Sequence, residues 1–228
     1  MRKLLLIIAA IVLISGCSQN KNLTKKSKAY KGIYEENTSS ILILPPINRT
    51  TNVEAKETFY SSLIVPITQK GYYVLPPLLS LDILKEESAY DAEMFLNNSM
   101  KDVGELFGCD AVLFTVIHDW TKSTIGSYIT VKIEYILKST KTDEVLFNRI
   151  GTITYTPPNY VSGGGLAGAL LSVATNMIST ALTKEIELGR ACNNFTLRDL
   201  PEGKNSPTFH LDMDSIAAPK TFSARLNQ

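Results

Sequence analysis

His118 and His210 are the two histidines of this 228-residue chain. Neither lies in a run of cysteines or carboxylates with metal-ligand spacing. In "HDW" His118 precedes Asp119, and consecutive strand residues point to opposite faces, so the two make no acid–base dyad. His118 is read as a structural residue near a strand end. Carboxylates come in couples: Glu86 with Glu87, Asp91 with Glu93, Asp143 with Glu144, Asp212 with Asp214. A pair brought together in space could act as a glycosidase acid and base. Solvated turns and helix ends account for the same residues. The chain contains neither a G-x-S-x-G elbow nor an H-E-x-x-H helix, so the sequence predicts no catalytic residue, no metal and no cofactor.

The stretch "VSGGGLAGALLSVATNMI" carries a G-x-G-x-x-G at Gly163, Gly165 and Gly168. A dinucleotide loop also needs a strand before it and an acidic residue about 20 positions on, and a phosphate loop needs Lys and Ser/Thr after its last glycine. Here the lead-in "TPPNYV" is broken by proline, and Ala169 and Leu170 follow Gly168. The glycines are therefore read as packing residues, and no nucleotide is expected. Charge is absent between Arg149 and Lys184. A helix across this run would set Leu166, Leu170, Val173 and Met177 on one face and Ser172, Thr175, Asn176 and Ser179 on another. With Gly164 and Gly168 at G-x-x-x-G spacing, the uncharged face is a candidate interface in an oligomer. Burial against the chain's own sheet is the competing reading.

The N-terminus "MRKLLLIIAAIVLISGC" has a basic start, an uncharged run from Leu4 to Ile14 and a small-residue end, the plan of a secretory signal. Its run is short of the roughly 20 residues of a spanning helix. Ile14, Ser15, Gly16 and Cys17 resemble the bacterial lipoprotein signal. That resemblance implies cleavage before Cys17, a diacylglyceryl thioether on its sulfur and a further acyl chain, such as palmitate, on its new amine. Two or more chains give stable anchoring, each buried methylene adding about 0.8 kcal/mol. Ser18, where an aspartate would imply retention at the inner membrane, favours the periplasmic face of the outer membrane.

Lipidation leaves Cys109 and Cys192, which an oxidising compartment allows to bridge; no spacing rule decides whether they do. Lys plus Arg total 23 against 22 Asp plus Glu, a balance that gives no argument for nucleic acid as partner.

Hydrophobic periodicity places the remaining elements. Residues 17–39, polar and lysine-rich, read as a tether that would typically span about 25 Å, its lysines solvated or facing anionic headgroups. A buried strand covers Ile41 to Leu44; a helix through Phe59, Leu63 and Ile67 is kinked or cut by Pro66 and stopped by Gly71. "YYVL" is a strand, "LLSLDILKEE" and "MKDVGELFG" are helices, and "DAVLFTVIHDW" is a strand. In "SYITVKIEYILKS", Ile129, Val131, Ile133, Tyr135 and Leu137 alternate with Thr130, Lys132, Glu134 and Lys138, giving one buried and one solvated face. "VLFNRIGTITYT" returns as the last strand. Residues 192–228 are rich in turn formers and read as an extended surface segment. The fold class is α/β (α+β), a mixed sheet packed by helices. The domains are a signal at 1–16, a tether at 17–39, an α/β domain at 40–191 and the C-terminal segment.

"SILILPPINRT", "GYYVLPPLL", "LFGCDAVLFTVI" and "SGGGLAGALLSVATNMI", in this order after the lipoprotein signal, resemble a family of small Gram-negative lipoproteins of unknown biochemical function. That family is similar in fold to the periplasmic N-terminal domain of TolB, to the lipoprotein activators of peptidoglycan synthases and, more loosely, to the periplasmic domain of CsgG. The resemblance implies a TolB N-terminal-like sandwich, a non-enzymatic binding or assembly module and a protein partner in the cell envelope. It transfers no catalytic residue. A homo-oligomeric ring or pore subunit of a secretion system is the alternative, and an envelope hydrolase a third.

Overall fold

The computed structural model describes residues 23–51, 59–86, 91–123, 128–156 and 187–227. Seven strands form one mixed sheet: β1 (Ser40–Ile43), β2 (Ile47–Asn48), β3 (Tyr73–Val74), β4 (Ala111–Ser123), β5 (Tyr128–Ser139), β6 (Val145–Thr156) and β7 (Thr221–Asn227). Their order is β3-β1-β4-β5-β6-β7, with β2 beside β4 past the end of β1. The β4–β5–β6 meander is antiparallel. β1, β2 and β3 join it in parallel on one side, and β7 lies parallel to β6 on the other. Pro45 and Pro46 separate β1 from β2, because proline gives the ladder no N–H.

Both faces of the sheet carry apolar packing. On the first face, Val131, Ile133, Tyr135 and Leu137 of β5 meet Ile117 and Trp120 of β4 and Ile153 and Tyr155 of β6. Phe59 lies edge-on to both Trp120 and Tyr135. The Tyr135 hydroxyl donates to Asn193 Oδ1 at 2.7 Å, and Asn193 Nδ2 donates to Ser62 Oγ at 2.7 Å. A buried polar chain thus links the sheet to the helix at residues 187–197 and to the turn at 62–63, and satisfying each member keeps burial from costing stability. That turn interrupts the helix predicted through Pro66, which resumes as α3 (Ile64–Thr68). Pro66 falls in its first turn, where its missing N–H costs nothing. Gly71, at φ 79°, ends the segment, and a Cβ there would come within 2.4 Å of the Ser206 nitrogen. The second face is apolar only over part of its area. Leu42, Leu44, Val112, Phe114 and Val116 pack there against Leu84 of α4 (Pro77–Glu86), Val103 of α5 (Lys101–Phe107) and Ala92 of a 3-10 turn (Ala92–Phe95).

Asp110 fixes the start of β4 to the start of β1. Its Oδ2 accepts from the backbone and hydroxyl of Ser39 and of Ser40, and its Oδ1 from Lys141 Nζ at 2.9 Å. Burial alone would raise its pKa. The Ser39 hydroxyl, Lys141 and the Ser39 N–H outweigh that and hold the carboxyl well below the usual carboxylate range.

Two expectations are corrected, and one alternative left open by the sequence is decided. Residues 26–35, read as tether, form two short helices, α1 (Lys26–Ala29) and α2 (Lys31–Glu35), that bury Tyr30, Ile33 and Tyr34 in the first-face core. Three large side chains at i, i+3 and i+4 give this lysine-rich stretch an apolar face. Of its lysines, Lys26 is buried against Asp212, while Lys25, paired with Asp214, and Lys31, paired with Glu35, stay exposed. Residues 192–228 are not simply a surface segment either. Cys192, Leu197 and Leu200 lie in the core and β7 completes the sheet edge. The chain between them runs back along α1, where Ala217 donates to the Thr24 carbonyl and Lys26 and Ser27 donate to the carbonyls of Ser215 and Met213. Finally, Cys109 and Cys192 are free thiols that belong to the cores on opposite faces of the sheet. A sheet between them rules out the close Cβ approach that a disulfide needs.

A cleft on the polar face as candidate functional site

Where α4, α5 and the 3-10 turn stop covering the second face, a cleft of about 500 Å³ opens over β4, β5 and β6. Val116 and Ile136 contribute apolar floor, Arg49 stands beyond β2, and Leu96 and Asn97 follow the 3-10 turn. Glu134 and Lys138 come from the solvated side of the predicted β5 alternation, and Asn148 stands on β6 opposite Ile136.

Each charged group is held by a definite partner. Glu134 Oε2 lies 2.9 Å from His118 Nε2, and its Oε1 accepts from Asn148 Nδ2 at 3.1 Å. Lys138 is 8% exposed and donates to the carbonyls of Leu96 at 3.3 Å and Asn98 at 2.9 Å. It thereby satisfies acceptors left free as the 3-10 turn ends. Asp143 takes the Met100 N–H and the Ser99 hydroxyl at the entry to α5, contacts that hold its pKa below the ordinary value. Arg49 Nη2 reaches Glu93 Oε1 at 3.3 Å. Asn148 Oδ1 is buried without a hydrogen-bond partner.

His118 lies inside β4 rather than at a strand end. It has no dyad with Asp119 but is joined to Glu134, a partner the sequence reading did not assign. A β-bulge at 117–119 is responsible. Ile117 and Trp120 both face the core, a spacing of three that period-two alternation does not allow, and the extra residue puts His118 beside Glu134. That break in alternation was the available signal.

Glu87, of the couple Glu86 with Glu87, lies outside the described residues, and the members of the other couples bind separate partners. Asp91 accepts from Glu93 N, Glu93 pairs with Arg49, Asp212 binds Lys26 and Tyr34, and Asp214 binds Lys25. Among the described residues no group of three or more His, Cys, Asp or Glu is placed to hold a metal. No described helix is long and apolar enough to cross a membrane. Cys17 and the candidate interface Gly164, Gly168, Ser172, Thr175, Asn176 and Ser179 lie outside the described residues.

Residues 29–201 match the model of the family described as "Putative lipoprotein GNA1162-like". The chain belongs to this family. It is 28% identical over 185 residues to "Putative lipoprotein NMB1124/NMB1162" of Neisseria meningitidis serogroup B, covering 80% of this chain and 84% of that one. Among solved structures it is similar to the lipoprotein GNA1162 from Neisseria meningitidis, at 26% identity and TM-score 0.49, over 62% of this chain and 99% of that one. It is also similar to PelC from Paraburkholderia phytofirmans, crystallised as a dodecamer, at 10% identity and TM-score 0.42, over 71% and 87% of the two chains. The family match includes β1 to β6, and with them the strands of the cleft floor.

Proposed function

We propose that this chain is a non-enzymatic binding module of the cell envelope, anchored through lipidated Cys17 at the periplasmic face of the outer membrane, and that its cleft meets a protein partner. The observation that carries the reading is membership of a lipoprotein family over residues 29–201, with the lipoprotein signal in front of them. Two features of the described residues support it. The titratable groups of the cleft brace its walls, with Glu134, Lys138 and Asp143 each bound to neighbouring strands or turns, an arrangement suited to a fixed recognition surface. Anchorage is also close. Residues 18–23 alone separate Cys17 from Thr24, whose carbonyl is bonded to Ala217. Seven Cα–Cα steps reach at most about 25 Å in any conformation, so the folded domain would stay against the membrane that holds the lipid.

In-cell photo-crosslinking tests the reading. A photoreactive residue at Ile136 should give a discrete adduct with an envelope protein, and one at exposed Lys204 should not. Adducts of the same pattern from both positions, or none from Ile136, would remove the cleft as the docking face.

A further inference from the structure

We infer that the side of the domain formed by residues 23–29 and 213–217 lies on the lipid bilayer that holds the Cys17 anchor, with Leu23 and Ile216 entering the interface, an inference that rests on the proposed lipidation of Cys17. Leu23 is 69% exposed and Ile216 47%, and both stand outside the two cores. Lys26 N donates to the Ser215 carbonyl and Ala217 N to the Thr24 carbonyl. Lys25 and Ile216 are therefore an antiparallel pair of the type that holds its side chains closest together. Two-residue alternation puts Leu23 on the side of Lys25, and Asp214 on the side of Ile216.

The resulting surface is two aliphatic side chains around an exposed ion pair, Lys25 Nζ lying 2.7 Å from Asp214 Oδ1. Such a surface suits a headgroup boundary. Aliphatic side chains reach the acyl chains, while the lysine stem runs along them and carries its charged end out to headgroups and water.

The chain itself names the occupant. Leu23 is six residues beyond Cys17, and six Cα–Cα steps reach at most about 22 Å. A lipid on Cys17 thus keeps the patch beside a bilayer at high effective concentration, whereas a soluble partner must be captured from solution. From Cys17 to Tyr34 the chain has lysines at 21, 25, 26, 28 and 31 and no carboxylate, so nothing in that stretch opposes an anionic leaflet.

This orientation also has a consequence for the cleft. Tyr30, Ile33 and Tyr34, together with Met213 and Ala217, pack on the first-face core, and the cleft opens on the second face. With the patch on lipid, the cleft faces away from the bilayer and is open to a partner.

Methyl NMR tests the orientation on the full lipidated chain in nanodiscs of phosphatidylethanolamine and phosphatidylglycerol. Two paramagnetic probes are compared, a nitroxide-bearing lipid and a water-soluble gadolinium chelate. The reference is Leu106, a 55% exposed residue of α5 on the second face. The lipid probe should broaden the Ile216 methyls several-fold more than those of Leu106, and the chelate should reverse that order. Ile216 decides the matter, because Leu23 is near the anchor in any orientation. Equal broadening of Ile216 and Leu106 by the lipid probe, or stronger broadening of Leu106, overturns the inference. Leu23→Asp with Ile216→Asp, which keeps Cys17, should relieve the Ala217 methyl of most lipid-probe broadening; an unchanged Ala217 signal would overturn the role of the two side chains. A chain whose intact mass lacks lipid removes the anchor and this inference together. A lipidated chain with Ile216 open to the chelate overturns this inference and leaves the anchor standing.

Discussion

Asp110 shows how one side chain joins two distant parts of this chain. Its carboxylate gathers five hydrogen bonds from Ser39, Ser40 and Lys141, and its pKa is held below the ordinary value. A depressed folded pKa stabilises above the unfolded pKa of about 3.9, and that contribution is lost as pH falls toward the folded value. Asp110→Asn should therefore cost on the order of 3 kcal/mol at pH 7. The difference should shrink as pH drops below about 4. Thermal melts of both proteins across that range check the sign, and a pH-independent gap would exclude it. The thiols provide a second check. Burial pushes Cys109 and Cys192 each up to about 11, so in the native protein both stay protonated and react slowly. A thiol reagent at pH 8 should label neither until denaturant is added, and a native mass showing a bridge between them would contradict their placement on opposite faces of the sheet.

The helices α1 and α2 teach the limits of reading segments locally. Lysine content made residues 24–39 look like tether, but Tyr30, Ile33 and Tyr34 decide their fate by reaching Asp199, Asp212 and the core. The two aspartates lie 169 and 178 positions along the chain from their tyrosines, and no local pattern announces contacts across so many positions. β7 was missed for the same reason: its ladder with β6 is parallel and long-range. Gly151 sits opposite Phe222 in that ladder, and a Cβ there would come within 2.7 Å of the Phe222 ring and of Thr196 Oγ1. By contrast, β4, β5 and β6 were legible because alternation and nearest-neighbour pairing fix a meander. The cleft was half legible. Alternation placed Glu134 and Lys138 on the solvated face, whereas the bulge that delivers His118 and the 3-10 turn that frames Lys138 depend on tertiary contacts. Two predictions belong here. Amide protons of Tyr30, Ile33 and Thr38 should exchange as slowly as those of β4, where a tether would exchange at once. Tyr30→Ala should cost roughly 3–5 kcal/mol by chemical denaturation, and a loss near zero would mean that the strap is not part of the fold.

As a whole, the molecule is a two-faced sheet locked by its own ends. The segment at 24–36 is tied to residues 199–217 by Lys25, Lys26, Tyr30 and Tyr34. This lock shortens the link to the proposed anchor from a tether of about 22 residues to residues 18–23. A linker of the longer kind would let the domain wander; the shorter one keeps Thr24, where the folded segment begins, within about 25 Å of Cys17. Everything in that picture depends on the lipid being on Cys17. The decisive measurement is the intact mass of the membrane-extracted protein beside that of Cys17→Ser. The predicted result is a wild-type chain beginning at Cys17 with three acyl chains, and an uncleaved, lipid-free Cys17→Ser precursor. A wild-type mass without lipid, or normal processing of Cys17→Ser, would contradict it.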